Sequence, residues 1–390
     1  RVRQRPEFGG EFPMAILADE ILTPGEGQLK ALIAIAGNMV LSMADGTHTE
    51  TALSNLDFMV SIDPYLNETT RFADVILPPA GPFEKPHYDL FYHTYDTINW
   101  AKYSPALFES PDKVYTDYEI IGELMEGVRI KREASFVKRL RIRITTWLSR
   151  RLLSVDRIID LGLRFGPYGS GINPLSRNGL NLKKLKTHPH GLFLGELEPC
   201  LPKRLFTSDK KIQLAPAPML DDLPRLKAHL QTLDAFSDDP KGLQIISRLT
   251  TRTLGWMHHS QRLIKGRNPV ELIIHPEDAD ARAINSDSLV RISTQRGAIE
   301  VPVQISDDIM PGVVSLPHLW GHNRPGTRQR VANASPGASY NDLMGVQSID
   351  ELTGNAIFNG VRVHVTPIGV CDAPEARHHD EDVEEFVVRS

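Results

Sequence analysis

The feature that most constrains the fold is an alternating run near residue 300. Residues 299–305 read IEVPVQI, so that apolar and polar side chains alternate, which is the period of a strand with one buried face. A second strand-like run, 289–293, precedes it, and the turn 295–297 contains Gly297. The sequence therefore predicts a β-hairpin here.

Two segments rich in aromatic and polar residues flank this hairpin. Residues 251–260 read TRTLGWMHHS, and residues 317–323 read PHLWGHN. We expect both to be loops that the rigid β segments hold apart. Loops of this composition suit a large, flat ligand with many hydrogen-bonding groups.

Closer to the amino terminus, three short apolar runs predict parallel strands. They are 29–36, 58–62 and 74–77, and the first is apolar enough to be buried on both faces. Thr47 and Glu50 have the spacing of a capping box that opens a helix through Leu56. Strands joined by short helical crossovers indicate a doubly wound sheet, whose ligands lie beyond the carboxyl ends of the strands.

Four residues fall at that edge of the predicted sheet: Gly37, Asn38, Asp63 and Pro78. A glycine there lets the backbone approach a phosphate, and an aspartate can accept hydrogen bonds from the N1 and N2 donors of a guanine. The alternative is structural: Gly37 and Asn38 form a turn, and Asp63 caps the helix that follows it. Spacing alone leaves both interpretations open.

Composition excludes several classes of protein. A net charge of −5 over 390 residues argues against general nucleic-acid binding. Cys200 and Cys371 are too few for a disulfide framework or a four-thiolate cluster, and no apolar run is long enough to span a bilayer. We expect a cytoplasmic protein, and because it begins at Arg1 without a methionine, we interpret it as a fragment or a processed product.

Taken together, the motifs resemble the molybdopterin-dinucleotide oxidoreductases, the family of formate dehydrogenases, nitrate reductases and dimethyl sulfoxide reductase. The first group of motifs is AGN at 36–38, VSID at 60–63, NETT at 67–70 and ADVILPP at 73–79. The second is GWMH at 255–258, IHPEDA at 274–279, QRGAIEV at 295–301, MPGVVSLPH at 310–318 and NDL at 341–343. The resemblance implies a Rossmann-like α/β parallel-sheet segment followed by a double-psi β-barrel. Met39 departs from the family, which often has proline there.

The resemblance also implies a cofactor, a pair of molybdopterin guanine dinucleotides that hold molybdenum or tungsten. Polar and aromatic residues near the two motif groups are the candidates for binding it: Gly37, Asn38, Asp63, Thr69, Pro78, Arg252, Thr253, Trp256, Met257, His258, Ser260, His318, Trp320, His322, Asn341 and Asn355. The histidine pairs could also be read as zinc ligands, but a third ligand at suitable spacing is not apparent. No residue is predicted to be catalytic or to bind the metal.

In the resembling family the iron–sulfur motif and the metal ligand lie in the N-terminal half. We therefore expect this chain to be the C-terminal, catalytically incomplete part of a two-electron oxidoreductase. Its expected partners are the pterin cofactor, the N-terminal half with its [4Fe-4S] cluster, and an electron-transfer protein or subunit. The alternatives are a non-catalytic structural subunit of a respiratory complex that retains the fold, and a nucleotide-binding partner or assembly factor.

The predicted domains are an α/β domain with a basic helical extension over 1–160, a connecting segment over 161–240, the barrel over 241–370 and a charged, disordered tail over 371–390. Residues 115–151 predict helices that become increasingly basic. These helices either pack an apolar side on the sheet or present a surface to an anionic partner or a membrane.

Overall fold

The structure, a computed structural model, describes residues 1–152, 154–171, 179–235, 242–250, 254–264, 270–345 and 349–370. Arg252, Thr253 and the predicted tail over 371–390 lie outside the described residues. The chain divides into two units. Unit 1 comprises Arg1–Ile76 together with Ala215–Ser390, and unit 2 comprises Leu77–Leu214.

This division differs from the predicted domain boundaries at residues 160 and 240. The first 76 residues belong with the barrel rather than with the helices that follow them in sequence. The reason is a set of polar contacts, described below, that join the sheet to the loops of the barrel.

The described helices and strands are as follows. The helices are α1 (Leu17–Leu22), α2 (Met39–Ser42), α3 (Gly46–Ser54), α4 (Asp117–Arg132), α5 (Phe136–Leu152), α6 (Val155–Phe165), α7 (Leu182–Lys186), α8 (Ala217–Asp221), α9 (Leu223–Ala235), α10 (Gln261–Ile264), α11 (Pro276–Asp280) and α12 (Arg330–Ala334). The strands are β1 (Ala31–Ile35), β2 (Phe58–Ile62), β3 (Val75–Ile76), β4 (His87–Tyr88), β5 (Asn99–Ala101), β6 (Tyr103–Ser104), β7 (Leu192–Gly195), β8 (Leu243–Arg248), β9 (Leu272–Ile274), β10 (Ser288–Ser293), β11 (Ala298–Ile305), β12 (Val313–Pro317) and β13 (Val361–Val370).

Strands β8 to β13 close into a six-stranded barrel in the order β10-β11-β9-β12-β8-β13. The predicted hairpin is confirmed, because β10 and β11 pair antiparallel with Val290 opposite Val301. Alternate residues of β11 point into the barrel, where Val301 and Val303 are buried while Glu300 is exposed. Burying each such side chain contributes about 1.5–3 kcal/mol, so the alternation in the sequence is what fixes the register of this hairpin.

Strands β1, β2 and β3 form the predicted parallel sheet, in the order β1-β2-β3. The expectation that β1 is buried on both faces is wrong, since Ile33 and Ile35 are 47% and 51% exposed. The strand lies at the edge of the sheet, and one of its faces is left open to solvent. Ala34, on the other face, packs with Met39 and Met59.

Helix α3 begins earlier than predicted, at Gly46. Its N-cap is Asp45, whose carboxylate accepts a hydrogen bond from the backbone N–H of His48 at 3.0 Å. The predicted capping box of Thr47 and Glu50 is therefore wrong, because both residues lie inside the helix. Glu50 is instead directed towards Arg71, at 2.6 Å.

Unit 2 contains α4 to α7 and the short strand pairs β4–β6 and β5–β7. The predicted helices are confirmed, and Thr116 caps α4 through a reciprocal capping box with Glu119. Of the two interpretations of the basic helices, burial of an apolar side is wrong for α5, since none of its residues is buried.

Candidate functional site

The carboxyl ends of β1 and β2 bring two polar segments together at one edge of the sheet. After β1 the chain turns at Ala36, whose φ of 51° takes the left-handed conformation expected of the neighbouring glycine. Asn38 then receives a hydrogen bond from the Thr69 hydroxyl at 2.9 Å, and the same hydroxyl accepts one from Val40 N–H at 3.0 Å. Asn38 and Thr69 are thus neighbours at the edge of the parallel sheet, where Asn38 was predicted to lie.

Glu68 lies at the centre of this edge of the sheet and is completely buried. Its Oε1 lies 3.1 Å from His322 Nδ1 and accepts a hydrogen bond from Gln329 Nε2 at 2.7 Å. Its Oε2 accepts a third hydrogen bond from Asn38 Nδ2 at 2.7 Å. A buried carboxylate is tolerated only where such partners replace water. The hydrogen bonds of the Glu68 carboxylate therefore join the sheet to the barrel.

Two opposing effects act on the pKa of Glu68. Desolvation raises it, but the hydrogen bond and the charge of His322, together with the hydrogen bond from Asn38, outweigh burial and leave the pKa below its usual value. Glu68 is therefore a carboxylate at neutral pH. It holds a proton on the facing Nδ1 of His322, which assigns the orientation of that ring.

His322 in turn contacts His258, with 2.8 Å between His322 Nε2 and His258 Nδ1. His258 lies in the 3₁₀ turn Gly255–His259 and stacks on the indole of Trp320, with ring centroids 3.7 Å apart. All three rings are buried. Because one ring nitrogen must donate to the other, a single proton lies between the two imidazoles.

The loops that contain these rings were expected to be held apart, and this is wrong. Residues 255–260 and 317–323 meet at the His258–His322 contact. The second loop is also bonded to the segment before the 3₁₀ turn Tyr340–Leu343, since Gly321 and His322 both donate backbone N–H groups to Pro336 O. Together these loops cover the sheet edge that contains Glu68, and the contacts between the two sides are polar rather than aliphatic.

A second ring pair lies next to this group. Tyr65 and His259 stack with centroids 3.6 Å apart and planes 6° apart. Burial, and then the charge of His322, lower the pKa of His259 from 6.5 to about 4. His259 is consequently neutral at physiological pH, which suits a ring that stacks and accepts hydrogen bonds rather than one that binds anions.

Asp63 is buried, and its oxygens accept hydrogen bonds from neighbouring residues of the same turn. Oδ1 accepts from Tyr65 N–H at 2.8 Å, and Oδ2 accepts from Asn67 Nδ2 at 3.1 Å. Burial nevertheless raises the pKa of Asp63 above its usual value. Since each carboxylate oxygen can accept two hydrogen bonds, Asp63 both orders this turn and keeps acceptor capacity for a ligand.

Asn341 ties the barrel to the sheet from another direction. It is completely buried, its Nδ2 donates to Met43 O, and its backbone carbonyl accepts from Asp45 N–H at 3.0 Å. Thr294, in the hairpin turn of the barrel, donates to Leu343 O at 2.9 Å. The turn Tyr340–Leu343 is therefore held between the two halves of unit 1.

Several buried polar atoms of these loops have no hydrogen-bond partner among the described residues. They include Trp320 Nε1, Gln329 Oε1 and Ser339 Oγ. An unpaired buried polar atom costs about 1–3 kcal/mol, and native proteins seldom contain several in one place. Their concentration here points to a ligand with complementary donors and acceptors.

The remaining predicted residues are less closely associated with this cluster. Met257, Ser260 and His318 are half-buried, and burial lowers the pKa of His318. Trp256 is 61% exposed, and Asn355 is also exposed. Pro78 is exposed and belongs to unit 2, and its role at the site stays a prediction.

Sequence reasoning missed Glu68, Gln329, Tyr65 and His259. Glu68 occurs in the NETT motif, between Asn67 and Thr69 at the sheet edge. This position was the only local indication that its carboxylate belongs to the site. Its barrel partners lie 254 and 261 residues away, so no local spacing could reveal them. Within the described part of the chain, no group of three or more His, Cys, Asp or Glu residues is placed to hold a metal ion.

Comparisons with known proteins agree with this architecture. The model of the family described as molybdopterin oxidoreductase matches residues 11–126, which include the parallel sheet. The model described as Molydopterin dinucleotide binding domain matches residues 243–362, which are the barrel. The chain is therefore similar to molybdopterin oxidoreductases over these two segments.

Two relatives illustrate the sequence similarity. The alpha subunit of the F420-dependent formate dehydrogenase of Methanocaldococcus jannaschii is 26% identical over 321 residues, which are 80% of this chain and 42% of that protein. The trimethylamine-N-oxide reductase of Haemophilus influenzae is 23% identical over 337 residues, 78% of this chain and 39% of the relative. The chain thus spans about two fifths of each of these two relatives.

The fold has a counterpart among solved structures. Acetylene hydratase from Pelobacter acetylenicus matches with a TM-score of 0.64 at 15% identity, over 90% of this chain and 46% of that enzyme. At this identity the likeness concerns the fold alone. Of the helices that the structure describes, none has the length and apolar character needed to cross a membrane.

Proposed function

We propose that this chain is the C-terminal, cofactor-binding part of a molybdenum or tungsten bis-pterin guanine dinucleotide oxidoreductase. The family matches supply the class of cofactor. The observation that carries the proposal is the concentration of unpaired buried polar atoms where the barrel loops meet the sheet. A degenerate structural subunit has no need to retain that costly arrangement.

The residues of the cluster fit such a group. Trp320 Nε1 is a donor, Gln329 Oε1 is an acceptor, and Ser339 Oγ can be either, which is the mixture that pterin and guanine edges require. Asp63 supplies acceptors for guanine N–H groups, and the backbone at Gly37 is open, because a Cβ there would have Ile35 O as its nearest neighbour at 3.8 Å. The same proposal includes two points about the fold. The barrel has the double-psi topology, and the three-stranded sheet is part of a Rossmann-like sheet.

When bound, the cofactor would supply two-electron redox chemistry at its metal. The residues of this chain would bind and orient it and exclude water. The Glu68–His322–His258 contacts would fix the ring of Trp320 against which the ligand rests. The iron–sulfur cluster, the metal ligand and the electron-transfer partner are assigned to protein outside these 390 residues, and the substrate is that of the complete enzyme.

A thermal-shift series tests the guanine part of this site. We expect GDP and GMP to raise the unfolding temperature of the chain, while ADP does not, because only guanine offers the paired N1 and N2 donors. At about 100 times the dissociation constant the stabilisation is about 2.7 kcal/mol. Asp63→Asn, which replaces an acceptor by a donor, should remove the response to GDP.

Cofactor content provides the second test. Protein purified with its partner subunits from cells that make the cofactor should contain molybdenum or tungsten and a pterin guanine dinucleotide by mass spectrometry. Absence of both, together with no response to guanine nucleotides, would favour the structural-subunit alternative. A response to GDP without pterin or metal in the assembled protein would favour the nucleotide-binding partner.

A further inference from the structure

Helix α5 has an apolar side that the described structure leaves uncovered. No residue of this helix is buried, and the apolar side chains on one side of it are 45–77% exposed: Phe136, Val137, Leu140, Ile144, Trp147 and Leu148. Leu152 extends the series at 53%. An exposed apolar patch of this extent marks an interaction site in a folded protein.

The exposed residues form a single stripe. Positions 136, 140, 144, 147 and 148 recur at intervals of three or four, which places them on one side of a helix. Helix α4 packs elsewhere on α5, where Ile142 and Thr146 are half-buried and Arg150 pairs with Glu126 at 3.1 Å. The stripe therefore points away from α4.

The charges of α5 are all of one sign. The helix contains no acidic residue, and its basic residues are Lys138, Arg139, Arg141, Arg143, Arg150 and Arg151. At about 100° per residue, Arg141 and Arg143 fall on opposite borders of the stripe. Neither has an acidic partner among the described residues, and the Arg151 guanidinium lies 5.5 Å from the centre of the Trp147 ring, within the stripe itself.

The α5 surface lies outside both segments that match the family, 11–126 and 243–362. It is therefore not explained by the binding of the pterin cofactor. Helix α6 adds to it a second series of exposed apolar residues, since Val155, Ile158, Leu161 and Phe165 are 40–64% exposed. The two helices are consecutive, and Arg157 donates to the carbonyls of Arg151 and Leu152.

We propose that the exposed side of α5 docks on an anionic phospholipid membrane, with the helix lying parallel to the bilayer surface. An apolar stripe about 25 Å long with aromatic residues can enter the boundary between headgroups and acyl chains. Arginines on both borders meet the phosphates on both sides of the helix. An extended plane of negative charge matches this symmetric arrangement better than a local acidic patch on a protein.

Vesicle flotation tests the proposal on the complete chain. We expect the protein to float with vesicles of phosphatidylcholine containing about 30% phosphatidylglycerol and not with pure phosphatidylcholine, and to be released as salt rises. The variant Leu140→Gln/Ile144→Gln should bind at least about tenfold more weakly, because each buried apolar side chain contributes to insertion. Since both side chains are already exposed, the variant should keep the circular dichroism and melting temperature of the wild type.

Matched controls test whether vesicle binding depends on the α5 surface or on exposed apolar and basic residues in general. Leu226→Gln/Leu230→Gln removes two leucines of α9 that are 46% and 52% exposed, and binding should not change. Arg141→Glu/Arg143→Glu should abolish flotation, whereas Arg204→Glu/Lys227→Glu, with the same change in net charge, should have little effect.

Three results would overturn the proposal. The first is equal flotation with neutral and anionic vesicles, and the second is the absence of flotation with a folded protein. The third is a change in oligomeric state or in binding to another enzyme subunit, caused by the α5 variants while vesicle binding stays the same. That result would make the stripe a protein interface. None of these outcomes depends on the cofactor, so the proposed function is tested separately.

Discussion

Glu68 Oε1 and His322 Nδ1 lie 3.1 Å apart in the interior of unit 1, although 254 residues separate them in sequence. Their side chains are 0% and 2% exposed. The pair joins the end of the parallel sheet to a loop of the barrel, and through His258 it supports the ring of Trp320. This contact is one of several that join the two halves of unit 1.

Replacing Glu68 by glutamine should destabilise unit 1. The glutamine would keep the volume of the side chain, but it would remove the carboxylate that pairs with Asn38, His322 and Gln329. It would also place an N–H group opposite the donor of either Asn38 or His322. Removing one partner of a buried pair costs about 3–5 kcal/mol, which lowers the melting temperature by about 6 °C or more in a unit of this size. Calorimetry measures this shift.

Glu26→Gln is the control for this variant, because Glu26 is exposed. Its effect should stay within about 0.5 kcal/mol. If the two variants melted at the same temperature, Glu68 would not be the charged centre that its contacts indicate.

The stability of unit 1 should decrease on acidification between about pH 6.5 and pH 4, in part because of His259. Its pKa is about 4 in the folded protein, against the ordinary histidine value of 6.5 that applies to the unfolded chain. Over this interval the unfolded chain binds a proton that the folded protein does not, so unfolding is favoured as the pH falls. The variant His259→Phe retains an aromatic ring that stacks on Tyr65. Its free energy of unfolding should therefore fall by about 2 kcal/mol less than that of the wild type on acidification.

Denaturant melts of both proteins at pH 7 and pH 4 measure this difference. His188→Phe is the control, since His188 is exposed in unit 2 and should leave the pH dependence unchanged. An identical pH dependence for wild type and His259→Phe would contradict the prediction.

Trp320→Phe should separate stability from ligand binding. The indole Nε1 has no partner among the described residues, so its removal should not cost a hydrogen bond, and stacking with His258 is retained by the phenyl ring. We expect a melting temperature close to that of the wild type or slightly lower, because the smaller ring leaves some space.

The pterin content of the assembled enzyme should nevertheless fall in the Trp320→Phe variant, and mass spectrometry measures it. Trp147→Phe is the matched control, since Trp147 is 60% exposed and is not among the predicted cofactor-binding residues. If both variants retained the cofactor equally, Trp320 Nε1 would not be one of its donors.

Gly337→Ala should destabilise the loop that supports Trp320. Gly337 has a φ of 61°, and a Cβ there would lie 2.7 Å from Val270 Cγ2 and 3.0 Å from Trp320 Cβ. Gly312→Ala is matched for backbone conformation, with a φ of 81° and no atom within 4 Å of the new Cβ. The control should lower the free energy of unfolding by about 1–2 kcal/mol through backbone strain alone. Gly337→Ala should lower it further, and thermal melting measures the difference.

The hairpin β10–β11 could be predicted from the sequence because its pattern is local, whereas the barrel was expected only from the family resemblance. Alternation over 299–305 sets which face of β11 is buried, and the neighbouring run with its turn sets the hairpin. The sheet strands were predicted for the same reason. The burial of β1 was not, since an apolar run does not show whether Ile33 and Ile35 are covered in the folded chain.

The candidate site was predicted only in part. Asn38, Thr69, His258, Trp320 and His322 do come together, because strand ends and family motifs mark them. The central acid, Glu68, and its partner Gln329 could not be selected, because burial and long-range pairing decide their role. Trp256 and Asn355 are exposed, and their role in binding the cofactor stays a prediction.

The discontinuity of unit 1 has a consequence for how the protein is made. The sheet ends at Ile76, but the turn that bonds to Met43 and Asp45 is reached only at Asn341. At ribosomal speeds of about 5–20 residues per second, the intervening chain takes roughly 15–50 s to emerge. During that time the sheet within residues 1–76 is complete, but Glu68 lacks its barrel partners. Chaperones that bind nascent chains should therefore remain on this part of the chain longest.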